Sequence, residues 1–158
     1  MNKTIDQWLN EYGESHQNKT NKLIHWFCVP VITFTLFGLL SSFTFIFSFN
    51  NKEYLINPAT ILIIIAILFY LRLSISITIG MLTFSGLCLY FIKNLESNYS
   101  STELFTYYII TFIIAWIGQF IGHKIEGKKP SFLKDIQFLL IGPAWLLSFI
   151  YKKNNISL

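Results

Sequence analysis

Four long apolar blocks, parted by short polar loops, constrain this chain more than any other feature. They run over residues 23–49, 59–92, 104–122 and 136–151. Blocks of this length suit a membrane core of ~30 Å crossed at ~1.5 Å per helical residue. Charged residues make up only 13% of the chain, against ~25% in an average globular domain. The pattern predicts an all-α, polytopic membrane bundle in one embedded domain, residues 1–158. Residues 1–22 would form an interfacial N-terminal helix and 23–151 the bundle.

The details refine that outline. In "TIDQWLNEYGESHQ", Ile5, Trp8, Leu9 and Tyr12 recur at helical spacing, and Thr4 with Gln7 fits a capping box. A short amphipathic helix is expected, lying in the interface or packed on the bundle. Asn18 or Thr20 can cap the next helix, which Pro30 interrupts near its start. "NNKEYLINP" reads as a loop, with Pro58 in the first turn of a new helix. As one helix, residues 59–92 would reach ~50 Å, too long for a bilayer. Two spans turning at Arg72 are expected instead. The last block, with Gly142 and Pro143 inside it, is short and reads as a kinked or re-entrant helix. The expected total is four to five membrane segments.

Charge gives an orientation. With a cytoplasmic N-terminus and two spans in 59–92, Lys3, Lys19, Lys22, Arg72, Lys124, Lys128, Lys129 and Lys134 all face inward, leaving Lys52 and Lys93 outside. The net charge of +4 is therefore a topology signal and not one for nucleic acid. Cys28 and Cys88 sit in apolar blocks and read as small hydrophobes. No cleavable leader or retention signal is visible, and a bacterial inner membrane is the expected location.

This topology gathers the chain's three histidines. His16 precedes the first span, His25 begins it, and His123 ends the span before the last loop. Neutral imidazole is the commonest metal ligand. Three of them with an open position suit zinc or non-haem iron. Glu126 follows His123 by three residues and can be a ligand, an outer partner or a base. Tyr12, Asn21 and Gln119 each stand four residues before a histidine and can orient it. The competing view makes all three histidines solvated interfacial residues, and Lys128 and Lys129 headgroup contacts. Phosphate loops, Cys-x-x-Cys pairs and nucleophile elbows are missing. Polar groups are also scarce at mid-span, where a transporter would place them.

Two stretches resemble a known family. "YGESHQNKTNKLIHWFCVP" is similar to a Tyr-x3-His-x4-Asn-x3-His-x4-Pro signature of small multi-pass membrane proteins, and "WIGQFIGHKIEGKKP" to their Gln-Phe-Ile-Gly-His signature with a following Glu and Pro. The family includes the fungal 2-hydroxy fatty acid dioxygenase of phytosphingosine degradation. The resemblance implies an iron(II) enzyme that uses O2 to shorten a long-chain 2-hydroxy fatty acid by one carbon, releasing carbon dioxide. It implies His16, His25 and His123 as metal residues, with Glu126 at the acidic position. Lys22, Lys128 or Lys129 could then attract the substrate carboxylate while the tail lies among helices and membrane lipids. Two alternatives stay open: a zinc-dependent lipid hydrolase at the same site, or a non-enzymatic scaffold or transporter. Oligomeric state is not legible.

Overall fold

The computed structural model describes residues 3–50, 52–133 and 135–158, so Lys134 lies outside the described residues. Among them the order is α1 (Ile5–Gly13), α2 (Lys19–Ser41), β1 (Phe45–Phe49), β2 (Lys52–Ile56), α3 (Pro58–Leu71), α4 (Ile75–Glu96), α5 (Ser101–Glu126) and α6 (Phe138–Lys153), with a 3-10 turn at Ser131–Leu133.

Local chemistry sets the boundaries. Thr4 and Gln7 close a reciprocal capping box on α1, and Ser100 with Glu103 closes another on α5. Asn18, Asn57 and Ser74 cap α2, α3 and α4 with side-chain oxygens. Gly127 ends α5 in the left-handed region at φ 72°. The turn at Arg72 divides residues 59–92 as expected.

One expectation is corrected. The chain is mostly helical but not all-α: α2 stops at Ser41, and residues 45–56 pair as an antiparallel hairpin with Phe45 opposite Ile56. The run "FTFIFSF" is rich in aromatic and β-branched residues, which favour a pleated strand over a helix. Both strands are exposed along their length. Hydrocarbon cannot satisfy open sheet edges, so this hairpin belongs at the membrane–water boundary. Helix length bears out the expected four to five spans only in part. Three helices, α2, α4 and α5, are long and apolar enough to cross a membrane. At 14 residues, α3 covers only ~21 Å.

The bundle is organised around α2 and α5, which run antiparallel. Gly122 faces Asn21, Gly118 faces Cys28, and Gly38 of α2 lies under the Tyr108 ring. A Cβ on Gly122 would collide with Asn21 Oδ1. Small residues at such crossings let helix backbones come together. Here they bring the start of α2 beside the end of α5.

One apolar cluster, including Phe37, Ala59, Ile92 and Tyr108, fills the hairpin end. The other joins the buried stripe of α1 (Ile5, Trp8, Leu9, Tyr12) to Tyr70, Ile77 and α6 at the opposite end. Helix α6 stays at that opposite end. Trp8 meets Phe138 near its start, with ring centroids 5.1 Å apart. Near its close, the Tyr151 hydroxyl donates to Ser76 O at the beginning of α4, 2.9 Å away.

Candidate metal centre

His16 lies in the turn between α1 and α2, His25 in the second turn of α2, and His123 in the last turn of α5. Close α2–α5 packing and the α1 stripe bring all three to one end of the bundle. They are buried, at 0%, 0% and 5% exposure. Solvated interfacial histidines are thereby excluded. Each offers one ring nitrogen, and the three atoms lie within 4.8 Å of one another.

The hydrogen bonds fix what those nitrogens present. His16 Nδ1 lies 2.6 Å from Tyr12 O, and His25 Nδ1 lies 2.9 Å from Asn21 O. A carbonyl only accepts, so each Nδ1 donates and carries the proton. Each neutral ring must then present a bare lone pair at Nε2. Those two Nε2 atoms face each other 3.0 Å apart. In addition, His123 Nδ1 is buried with no hydrogen-bond partner. Converging lone pairs without a proton repel, and a cation between them removes the conflict. A cation ~2.1 Å from each nitrogen spans nitrogen separations up to ~4.2 Å. The His16–His25 gap lies within that reach.

Burial pushes the His16 imidazole down from 6.5 to about 3, with the neighbouring His25 adding to the effect. It is therefore neutral and ready to ligate at physiological pH. Tyr12 stacks on the His16 ring, with centroids 4.1 Å apart and 13° between planes. Trp145 leans on the same ring at 5.2 Å. These aromatics hold the imidazole and keep water off it.

The remaining expected residues fall in distinct places. Glu126 is close by, but its oxygens are occupied. Oε1 accepts from Gln17 N at 2.8 Å, and Oε2 accepts from Asn18 N at 2.9 Å and from Asn21 Nδ2 at 3.0 Å. The carboxylate thus ties the end of α5 to the turn carrying His16. Asn21 is fully buried and also donates to Ser15 O, 3.2 Å away. Gln119 is buried and, with His123 and Tyr12, lines a small cavity of about 50 Å³.

Lys128 and Lys129 line a larger opening of about 350 Å³ with Glu14, Ser15 and Ser131, and Lys128 Nζ donates to Glu14 O at 2.7 Å. Lys22 is half-buried on α2 and does not line that opening. No sequence pattern signals the contact between Ser15 and Ser131, whose hydroxyls are 2.6 Å apart. Nor does any place Trp145 against His16, since both contacts join residues more than a hundred positions apart.

A family model described as 2-hydroxy-palmitic acid dioxygenase Mpo1-like matches residues 2–154. The chain belongs to the Mpo1-like family. No curated protein and no solved structure gives a significant match. Both signature stretches of this Mpo1-like chain, 12–30 and 116–130, meet at the histidine cluster. Three neutral imidazoles in a buried pocket suit a divalent transition metal such as zinc or iron(II).

Proposed function

We propose that this protein is an iron(II)-dependent dioxygenase that shortens long-chain 2-hydroxy fatty acids by one carbon. The observation that supports it most is the buried imidazole trio, with one ring nitrogen of each within 4.8 Å of the others, in a chain of the Mpo1-like family. His16, His25 and His123 would hold the metal, with Glu126 as a positioning residue. Bound iron(II) would supply oxygen activation. The stoichiometry balances without a further reductant: R–CH(OH)–COOH + O2 gives R–COOH + CO2 + H2O.

The chain's own residues account for binding and orientation. Tyr12 O and Asn21 O hold the Nδ1 protons, so that Nε2 of each ring points inward. Three neutral ligands leave the charge of a divalent cation uncompensated. An anionic chelator such as a 2-hydroxy carboxylate supplies that charge through hydroxyl and carboxylate oxygens. Lys128 and Lys129 at the neighbouring opening attract the same carboxylate. The lysine bias supports a cytoplasmic histidine end, and the proposed location is a bacterial inner membrane.

The test is to load the purified protein with iron(II) without air, then add 2-hydroxypalmitate and O2. Pentadecanoate and carbon dioxide are expected in equal amounts. Absence of the odd-chain acid with iron bound overturns the substrate assignment. Stoichiometric zinc with an oxygen-independent activity overturns the redox assignment.

A further inference from the structure

A second cavity, of about 220 Å³, lies between α2, α4 and α6. Its walls are apolar or aromatic throughout: Trp26, Val29, Pro30, Met81, Phe84 and four residues of α6. It shares Val29 and Pro143 with the small cavity at His123 and Gln119. Both shared residues sit at helix irregularities. Pro30 follows Val29 and deprives the Trp26 carbonyl of its helical donor, as Pro143 does for Leu139. The small cavity has room for about two water-sized groups and the apolar one for about seven.

We infer that this apolar chamber holds the first part of the substrate's acyl chain, and that Met81 and Phe84 set how much chain it accepts. The inference rests on the proposed hydroxy-acid reading: the small cavity carries His123 and Gln119, the apolar chamber shares two wall residues with it, and the pair matches an amphiphile with its head at the metal. An acyl chain also suits the chamber's surroundings. Trp26 and Ile150 are 39% and 45% exposed, so a chain longer than the chamber can pass between them into lipid. Affinity therefore rises with chain length until the chamber is full, then levels off.

The test uses the full-length protein in unbrominated lipid nanodiscs. A mid-chain dibrominated 2-hydroxy acid is added, and the tryptophan quenching displaced by unlabelled 2-hydroxypalmitate is measured. Displaceable quenching should fall by at least half in Trp26→Phe, a half-exposed site that tolerates the change. An octanoate-to-stearate series of 2-hydroxy acids then serves as competitors. Met81→Trp removes room for about two methylene groups and should weaken long acids about tenfold while sparing short ones. Phe84→Ala should move the plateau to longer chains.

Displaceable quenching unchanged in Trp26→Phe overturns the inference, as does an unaltered chain-length profile in folded variants. In either case, turnover of 2-hydroxypalmitate by the iron-loaded wild type leaves the dioxygenase reading standing. Chain binding at Trp26 without turnover separates the two the other way.

Discussion

Glu126→Gln tests whether the carboxylate orders the site or ligates the metal. Glu126 accepts three hydrogen bonds, from Gln17 N, Asn18 N and Asn21 Nδ2. Bonds to a charged acceptor contribute ~1.5–3 kcal/mol when buried. Glu126 is only partly buried, so ~1 kcal/mol apiece is the better scale. Glutamine keeps one acceptor oxygen. If that oxygen takes the Oε2 place, the amide nitrogen faces the Gln17 N–H, one bond is lost and two lose their charge assistance. The turn holding His16 then loses ~1–2 kcal/mol of local order. At 1.4 kcal/mol per decade that is about tenfold in metal affinity, the lower end of the ~10–100-fold range for groups behind a ligand. The assay is competition against a chromophoric chelator with zinc as a redox-silent probe. One metal per chain should still bind, about tenfold more weakly. Complete loss of stoichiometry, as expected for His25→Ala, would make Glu126 a ligand. A change under twofold would show that the clamp orders nothing.

Three further outcomes follow from the same geometry. Gly122→Ala drives a methyl into Asn21 Oδ1, so thermal unfolding should show ~1–3 kcal/mol of lost stability together with weaker metal binding. Tyr12→Phe keeps both the ring that stacks on His16 and the carbonyl that holds its Nδ1, so chelator competition should find metal affinity within about twofold of wild type. In metal-free protein, the His16 pKa falls from 6.5 unfolded to about 3 folded. The unfolded chain therefore binds the extra proton. Stability is full above 6.5 and should decline as pH drops toward 3, by up to ~1.4 kcal/mol per unit from this group. Melting of the apoprotein from neutral to mildly acidic pH measures it, and His16→Gln should flatten the slope.

The parts of this fold that were legible in the sequence are those governed by short-range rules. The α1 stripe, its capping box and the turn at Arg72 depend on neighbours within four residues, and each stands where periodicity and caps put it. The gathering of the histidines also followed, because counting spans by charge put their three helix ends on one side. The hairpin was missed because residues 42–49 continue a hydrophobic block without a charge to interrupt it. Hydropathy does not distinguish a strand from a helix there, and only the β-branched and aromatic run carried the signal. Glu126's partners were invisible for a different reason. Two are backbone N–H groups of Gln17 and Asn18, more than a hundred residues away, which no side-chain pattern encodes.

The position of the centre follows from the cost of charge in lipid. Three imidazoles held neutral add no charge to the bundle end, and the Nδ1 protons of His16 and His25 go to helix carbonyls. The price appears only when a divalent cation binds, because no carboxylate stands among the three clustered imidazoles. Glu126 lies close enough to feel that charge, yet it is already committed to Gln17, Asn18 and Asn21. The compensating anion therefore has to arrive from outside. A site built this way holds its metal more tightly when a hydroxy acid is present, and linkage requires the acid to bind more tightly when the metal is present. Titrating zinc with and without 2-hydroxypalmitate reads the coupling directly. At least a tenfold gain is expected, and equal affinity in both titrations would show that the acid does not reach the imidazoles.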